Sequence, residues 1–375
     1  MLRTRLVVGV TVPFSLILFG KRLANLCDHG WDVHVVVGEP IPSDFAQDSR
    51  ITIHQIPMKR GMSPLGDLVA LFRWVRLLRS LAPAIVLGAT PKAALLSMLA
   101  GKIDRVPHRV FEVWGARWDG RGDLQTHILR LADRMAASSA TRVVACSQSV
   151  SDLFVNAGVT KVEPILLGYG GTKGVDTDWF SCEQDVPTFE FDIGFVGRLA
   201  GDKGADQLLE VFSRIKAERP LTQLGLAGGM DAADPIDPRT LQGLTCDSNV
   251  RVLGYIKDVG TFLNSVRVLC FPSRREGLPN AIIEAAACGV PTVAWRVTGC
   301  TDAIIDGETG FLIPYGDIDQ MTGRVRELLV NDELRSAMSI AAIQFARDRF
   351  DSRLVETNYT KFYLTLAGAD IGRKT

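Results

Sequence analysis

The chain has no surplus of charge of either sign. Its 42 Lys and Arg stand against 42 Asp and Glu, which argues against nucleic acid as a partner. Cysteine comes without any C-x-x-C pair. The seven cysteines (27, 146, 182, 246, 270, 288 and 300) are odd in number, scattered, and mostly set in apolar runs. That pattern fits reduced, buried thiols rather than a disulfide framework or a zinc knuckle. Histidine is scarce at five residues, and these do not cluster with the cysteines. No apolar run reaches the roughly 18 residues expected of a membrane-crossing helix. The opening MLRTRLVVGVTVPFSLILFGKR imitates a signal peptide, yet it lacks a small-x-small cleavage site and is interrupted by Pro13 and Ser15. It reads better as a buried strand over 5–12, a loop, and the start of a helix. The segment GVTVPFSLILFG also lacks the G-x-G-x-x-G of a dinucleotide-dependent oxidoreductase.

What is present is an ordinary globular composition, 47% apolar and 22% charged over 375 residues, about two domains in length. The charge balance hides an asymmetry: residues 1–180 hold 21 Lys/Arg against 15 Asp/Glu, and the remainder 21 against 27. A basic first half hints at an anionic ligand or surface there. Short β-rich runs (RLVVGVTV, DVHVVVG, ITIHQIP, AIVLGA, HRVFEVW, RVVACS, EPILLG) alternate with helical stretches at 18–29, 65–81, 92–102, 123–139 and 148–156. After the polar SCEQDVPTFE the alternation restarts. The strands are then FDIGFVGRL, TQLGLAGG, NVRVLGYI, RVLCFPS, PTVAW and GFLIP, with helices at 204–218, 259–266, 279–288 and 318–331. Apolar strands separated by helices mean parallel sheets covered on both faces. The expectation is therefore an α/β chain of two Rossmann-like domains facing a cleft, 1–181 and 182–350. A terminal helix over 351–375 could pack back on the first domain.

Two segments of the second half carry chemistry. In FVGRLAGDKGADQLLEVF a strand ends at Gly197, and Arg198 follows. A Gly/Asp loop then delivers Lys203 to a helix start, an arrangement suited to a pyrophosphate. In SRREGLPNAIIEAAACGVPTVAW, Glu276 lies in a Gly/Pro loop while Glu284 lies inside an apolar helix. Leu278, Pro279 and Asn280 open that helix, where free N–H groups face phosphates. A buried carboxylate such as Glu284 is costly without a partner, and a ligand hydroxyl is a natural one. Tyr255 and Ile256, after a strand, could lie against a flat base. Two acidic segments, DTD at 176–178 and MDAADPID at 230–237, are rejected as metal sites for their loop context, so no metal is expected.

Together these segments resemble glycosyltransferase family 4 within the two-domain GT-B fold. GRL…DKG, the E-x7-E motif followed by A…G-P-V, and GCTDAIIDGETGFLIPYGD occur in order over nearly the whole chain. The resemblance implies metal-independent, retaining transfer of a sugar from a nucleotide-diphosphate donor, with no other cofactor. Arg198 and Lys203 match the diphosphate-binding pair, Glu284 the ribose-binding residue, and Glu276 the carboxylate near the donor sugar. A departure stands at FEVWGARWDG, where many relatives carry His-Gly: here Trp114 precedes Gly115, with Arg117 close by. That implies a sugar lacking the usual 6-hydroxyl contact, a deoxy or N-acetyl sugar.

On the acceptor side, MKRGMSPLGDLVALFRWVRLLRSLAP places Arg73, Arg76 and Arg79 along one side of a helix. Leu68, Leu71, Phe72, Val75 and Leu78 form its apolar stripe. Either it covers the sheet with solvated arginines, or it rests on anionic lipid. The run also resembles bacterial members that extend lipid-linked sugars during surface-polysaccharide assembly. Thr90 and Lys92 of the TPKA loop, and Phe14 and Ser15 of the first loop, would then meet a polyprenyl-diphosphate-linked sugar. The expected donor is a UDP-sugar. The expected location is the cytoplasm or, peripherally, the inner face of the cell membrane. A nucleotide-sugar epimerase of similar architecture, or a non-catalytic nucleotide-sugar-binding subunit, are the competing readings.

Overall fold

The computed structural model describes residues 4–41, 48–59, 61–120, 124–181, 189–231 and 234–371, so Cys182 lies outside them. They fall into two compact units: Met1–Gly174 with Ser352–Thr375, and Val175–Asp351. The break thus comes before residue 181. Val175 N donates to Phe350 O (2.8 Å), Thr177 Oγ1 to Asp351 Oδ2 (2.5 Å), and Asn264 Nδ2 to Ser181 O (3.2 Å). These bonds tie 175–181 to the second unit.

In the first unit the strands are β1 (Arg5–Val10), β2 (Asp32–Val37), β3 (Thr52–Gln55), β4 (Ile85–Gly88), β5 (His108–Val113), β6 (Arg142–Ala145) and β7 (Ile165–Leu166). All pair in parallel in the order 3-2-1-4-5-6-7. The helices between them are α1 (Arg22–Asp28), α2 (Pro64–Leu81), α3 (Pro91–Ile103), α4 (Leu124–Ser139) and α5 (Gln148–Asn156). The segment read as a loop before α1 is a 3₁₀ helix over Pro13–Phe19, with proline in its first turn, and α1 starts only at Arg22.

Two helices wear their apolar stripes outward. On α2 the buried residues are Ala70, Trp74 and Leu78, whereas Leu68 and Phe72 are 64% and 70% exposed. The expected inward stripe is therefore rotated, and Leu65, Leu68, Val69 and Phe72 share a solvent face at helical spacing. The wide indole of Trp74, seated against Gly9, sets that rotation. On α4, Thr126, Asp133 and Ala136 point in, while Leu124, Ile128, Leu131 and Met135 point out.

The second unit repeats the plan with β8 (Phe191–Val196), β9 (Leu224–Ala227), β10 (Val250–Gly254), β11 (Val266–Phe271), β12 (Thr292–Trp295) and β13 (Gly310–Ile313). They are parallel in the order 10-9-8-11-12-13. Its helices are α6 (Ala205–Glu218), α7 (Pro238–Cys246), α8 (Val259–Asn264), α9 (Asn280–Ala287), α10 (Cys300–Ala303), α11 (Ile318–Val330) and α12 (Asp332–Phe350). The last helix, α13 (Ser352–Ile371), belongs to the first unit. It is fastened there by Tyr359 Oη to Gly171 O (3.0 Å), Lys21 N to Glu356 Oε1 (2.9 Å), and Tyr363 to Glu112. In both sheets the strand order reverses once, between β1 and β4 and between β8 and β11. Open α/β sheets bind ligands at that reversal, beyond the carboxyl ends of the strands.

Candidate active site

In the second unit the reversal is where the sequence placed its cations and carboxylates. Gly197, at the end of β8, leads to Arg198, and β11 leads to Ser273 and Glu276. Gly204 brings the two loops together. Its φ of +73° and the carbonyl of Pro272, 2.1 Å from where a Cβ would sit, exclude a side chain. The close approach sets Lys203 Nζ 2.6 Å from Glu276 Oε1, and Ser273 Oγ donates to the same oxygen at 2.7 Å. Lys203 and Glu276 are 16% and 13% exposed, so the pair is weakly screened. Gly299 closes the far side: its φ is +81°, and a Cβ there would lie only 2.6 Å from Gly277 O, so a side chain is excluded. Behind it, burial and then the charge of Glu276 push the Cys300 thiol well above its ordinary value, keeping it an uncharged wall.

Arg198 is more open. It pairs with Asp231 and stands 3.9 Å from Asp202, which Arg275 also meets at 3.2 Å. Asp234 Oδ2 accepts from Asp202 N at 2.9 Å. The acidic 230–237 stretch therefore orders the cationic loop, and its Asp237 caps α7 by accepting from Arg239 N (2.8 Å). Asp176 of the DTD segment caps a turn by accepting from Asp178 N and Trp179 N. Asp202, Asp231, Asp234 and Ser273 were missed from the sequence. Acid residues in the loop after β9, opposite an arginine in the loop after β8, were the available signal.

Downstream, Leu278 and Pro279 are buried, and α9 begins at Asn280 with Pro279 as its cap residue and no side-chain cap. Asn280 thus opens the helix without capping it, and the first amides of α9 carry the positive end of its dipole. Glu284 lies in the second turn of α9, 8% exposed among Ile282, Ile283 and Ala285. Tyr255 (exposed) and Ile256 (half-buried) follow β10 on the same sheet edge, where Gly228 N bonds Gly254 O at 2.8 Å.

The first unit's reversal gathers the acceptor-side candidates. Thr90 Oγ1 accepts from Thr11 N (2.7 Å) and meets Thr11 Oγ1 (2.8 Å), joining the ends of β1 and β4. Lys92 binds Asp67 Oδ1 and Oδ2 (2.7 and 2.9 Å) and the Gly61 carbonyl, fixing the start of α2 to that of α3. Phe14 is exposed and Ser15 half-buried on the 3₁₀ helix. Trp114 faces inward: its Nε1 donates to Glu112 Oε2 at 3.1 Å, and its ring meets Phe19 edge-on at 5.1 Å. Where relatives are expected to carry a histidine, this side chain thus turns its one polar atom away from solvent.

Lys92, Thr90, Arg117, Trp118 and Asp133 line one cavity of about 370 Å³. Burial pushes the Asp133 carboxyl up to about 6, partly offset by the Trp118 indole donating to it at 2.8 Å. A carboxyl raised by folding favours the folded state most below its unfolded value of 3.8, and that advantage is lost as pH rises from about 4 to 6. Asp133→Asn, which keeps an acceptor for the indole, should thus gain about 2–3 kcal/mol over the parent at pH 7.5. At pH 4 the two should melt alike, which thermal denaturation at the two pH values would check.

Residues 22–170 match the family model described as "Glycosyl transferase 4-like domain", and 190–331 match "Glycosyl transferases group 1". The chain belongs to the family 4-type glycosyltransferases, and its fold is GT-B. The capsular polysaccharide biosynthesis glycosyltransferase CapM of Staphylococcus aureus is 28% identical over 97% of this chain and 98% of its own. The Vi polysaccharide biosynthesis protein VipC/TviE of Salmonella typhi is 31% identical over 41% of this chain and 27% of its own. Among solved structures, sucrose-phosphate synthase of Thermosynechococcus elongatus aligns with a TM-score of 0.80 at 18% identity, over 98% of this chain and 100% of that one. Anabaena HepE in complex with UDP and glucose aligns with a TM-score of 0.76 at 19% identity, over 97% and 100%.

Proposed function

We propose that the chain moves a sugar, with retention, from a UDP-linked donor to a polyprenyl-diphosphate-linked sugar during polysaccharide assembly. The observation that carries this reading is the Lys203–Glu276–Ser273 cluster, with Arg198 beside it, at the reversal of the second sheet. Two cations and the start of α9 suit a diphosphate, whose growing negative charge they stabilise as it leaves. Because these cations are side chains, the transfer is read as metal-independent. Glu284 takes the ribose hydroxyls and Glu276 the sugar hydroxyls. The acceptor oxygen bonds to the anomeric carbon as the bond from that carbon to the phosphate oxygen breaks, and the acceptor proton passes to the departing phosphate.

The CapM and VipC/TviE relatives support polysaccharide assembly, and the UDP complex of HepE supports the donor base. The inward-turned Trp114 supports a 6-deoxy sugar, which has no 6-hydroxyl to hydrogen-bond at that place. The outward apolar stripes of α2 and α4, beside exposed Arg73 and Arg76, support a peripheral position on an anionic inner membrane face. None of the described helices is long and apolar enough to cross a membrane.

The test incubates the purified chain with labelled UDP-sugars and polyprenyl-diphosphate-linked saccharides, with and without EDTA. Label should enter the lipid fraction unaffected by EDTA, and the new linkage should keep the donor's anomeric configuration. Conversion of the UDP-sugar to its epimer with no labelled lipid would replace this reading with the epimerase one.

A further inference from the structure

The cavity at the first sheet's reversal has a character that sugar binding alone does not explain. Its walls are largely apolar, formed by Val12, Pro64, Leu95, Leu96 and Leu129, with Arg117, the Lys92–Asp67 pair and Asp133 also in the lining. It is also continuous with the outward stripes. Met62 and Ile128 line it while being 65% and 39% exposed, and they adjoin Leu65 on α2 and Leu124 and Leu131 on α4. An apolar chamber with cationic side chains in its wall, opening onto an apolar and basic surface, complements an amphiphile with an anionic end. Cavities of about 150 Å³ accept one benzene ring, so about 370 Å³ gives room for on the order of fifteen carbons. That is about three isoprene units.

We infer that this cavity is a slot for the phosphate-proximal isoprene units of the acceptor lipid. The phosphates lie toward Arg117, and the rest of the tail leaves the slot past Met62 and Ile128. The inference rests on the lipid-linked acceptor proposed above and adds where the lipid is held. It gives Lys92 a task compatible with its bond to Asp67: the pair fixes the first turns of α2 and α3, and with them two walls of the slot.

The slot is tested with acceptors that share one sugar diphosphate and differ only in prenyl length, assayed without detergent or vesicles below micelle formation. Apparent KM should fall by about tenfold or more per isoprene unit, since each buried carbon adds to binding. It should level off at about three units, the capacity of the cavity. Ala132→Trp, which places an indole in the slot, should move that break to shorter chains. A KM independent of chain length, or one that falls without a break well past three units, would overturn the slot while leaving lipid-linked transfer standing. Transfer to none of the prenyl acceptors would overturn the acceptor reading and the slot together.

Discussion

Lys203→Ala is expected to lower kcat by about 10²–10³, the cost of losing one preorganised group that stabilises developing charge. The geometry makes this substitution informative. Lys203 is held 2.6 Å from Glu276, and Ser273 remains bonded to Glu276 when the lysine is gone, so the loop keeps one of its two ties. The cluster is built by backbone proximity at Gly204, which the substitution does not touch. Steady-state kinetics with saturating donor would read the effect. A loss below tenfold would mean that the lysine serves only to neutralise Glu276.

Glu112→Gln is expected to destabilise the first unit by about 3–5 kcal/mol, because it leaves a buried arginine without its counter-charge. Arg22 and Glu112 are each 1% exposed and joined by three contacts of 3.2–3.3 Å. Burial alone would lower the Arg22 pKa, but the Glu112 carboxylate, with Tyr359 and Tyr363, outweighs it and raises it. The guanidinium also lies 3.8 Å from the Tyr359 ring centre, so α1, β5 and α13 meet at one charge. Denaturant unfolding should show the loss, and the double replacement Arg22→Leu with Glu112→Gln, which removes the buried charge and keeps an acceptor for Trp114 and Tyr363, should recover much of it. Loss below 1 kcal/mol would show that water reaches the arginine.

Strand runs were legible because fully buried parallel strands read as continuous apolar stretches, and most helices between them followed, but the short α7 and α10 did not. The meeting of Lys203 and Glu276 was legible for a related reason: Gly204 and Pro279 mark where backbone must bend or begin a helix, and Lys203 and Glu276 flank those marks. Helix α12 was missed because apolar periodicity is weak in DELRSAMSIAAIQFARDRF. Its signals were at the ends, where Asn331 Oδ1 accepts from Leu334 N at 3.0 Å and Asp332 and Glu333 occupy the first turn. The rotation of α2 was hidden for another reason. Both of its faces carry apolar residues, and only the seating of Trp74 against Gly9 decides which one is buried. The partner of Arg198 escaped because Asp231 reaches it from the loop after a neighbouring strand, a relation that spacing along the chain does not show.

The central claim is that Lys203, Glu276 and Glu284 form a site for a uridine diphosphate. It is tested most directly by thermal shift with UDP, GDP, ADP and NAD in the presence of EDTA, on the parent chain and on Glu284→Ala. At a hundredfold excess over its dissociation constant a ligand adds about 2.7 kcal/mol, a shift of several degrees. The account predicts stabilisation by UDP that is lost in Glu284→Ala. Stabilisation by NAD instead, or by UDP equally in both proteins, would contradict it.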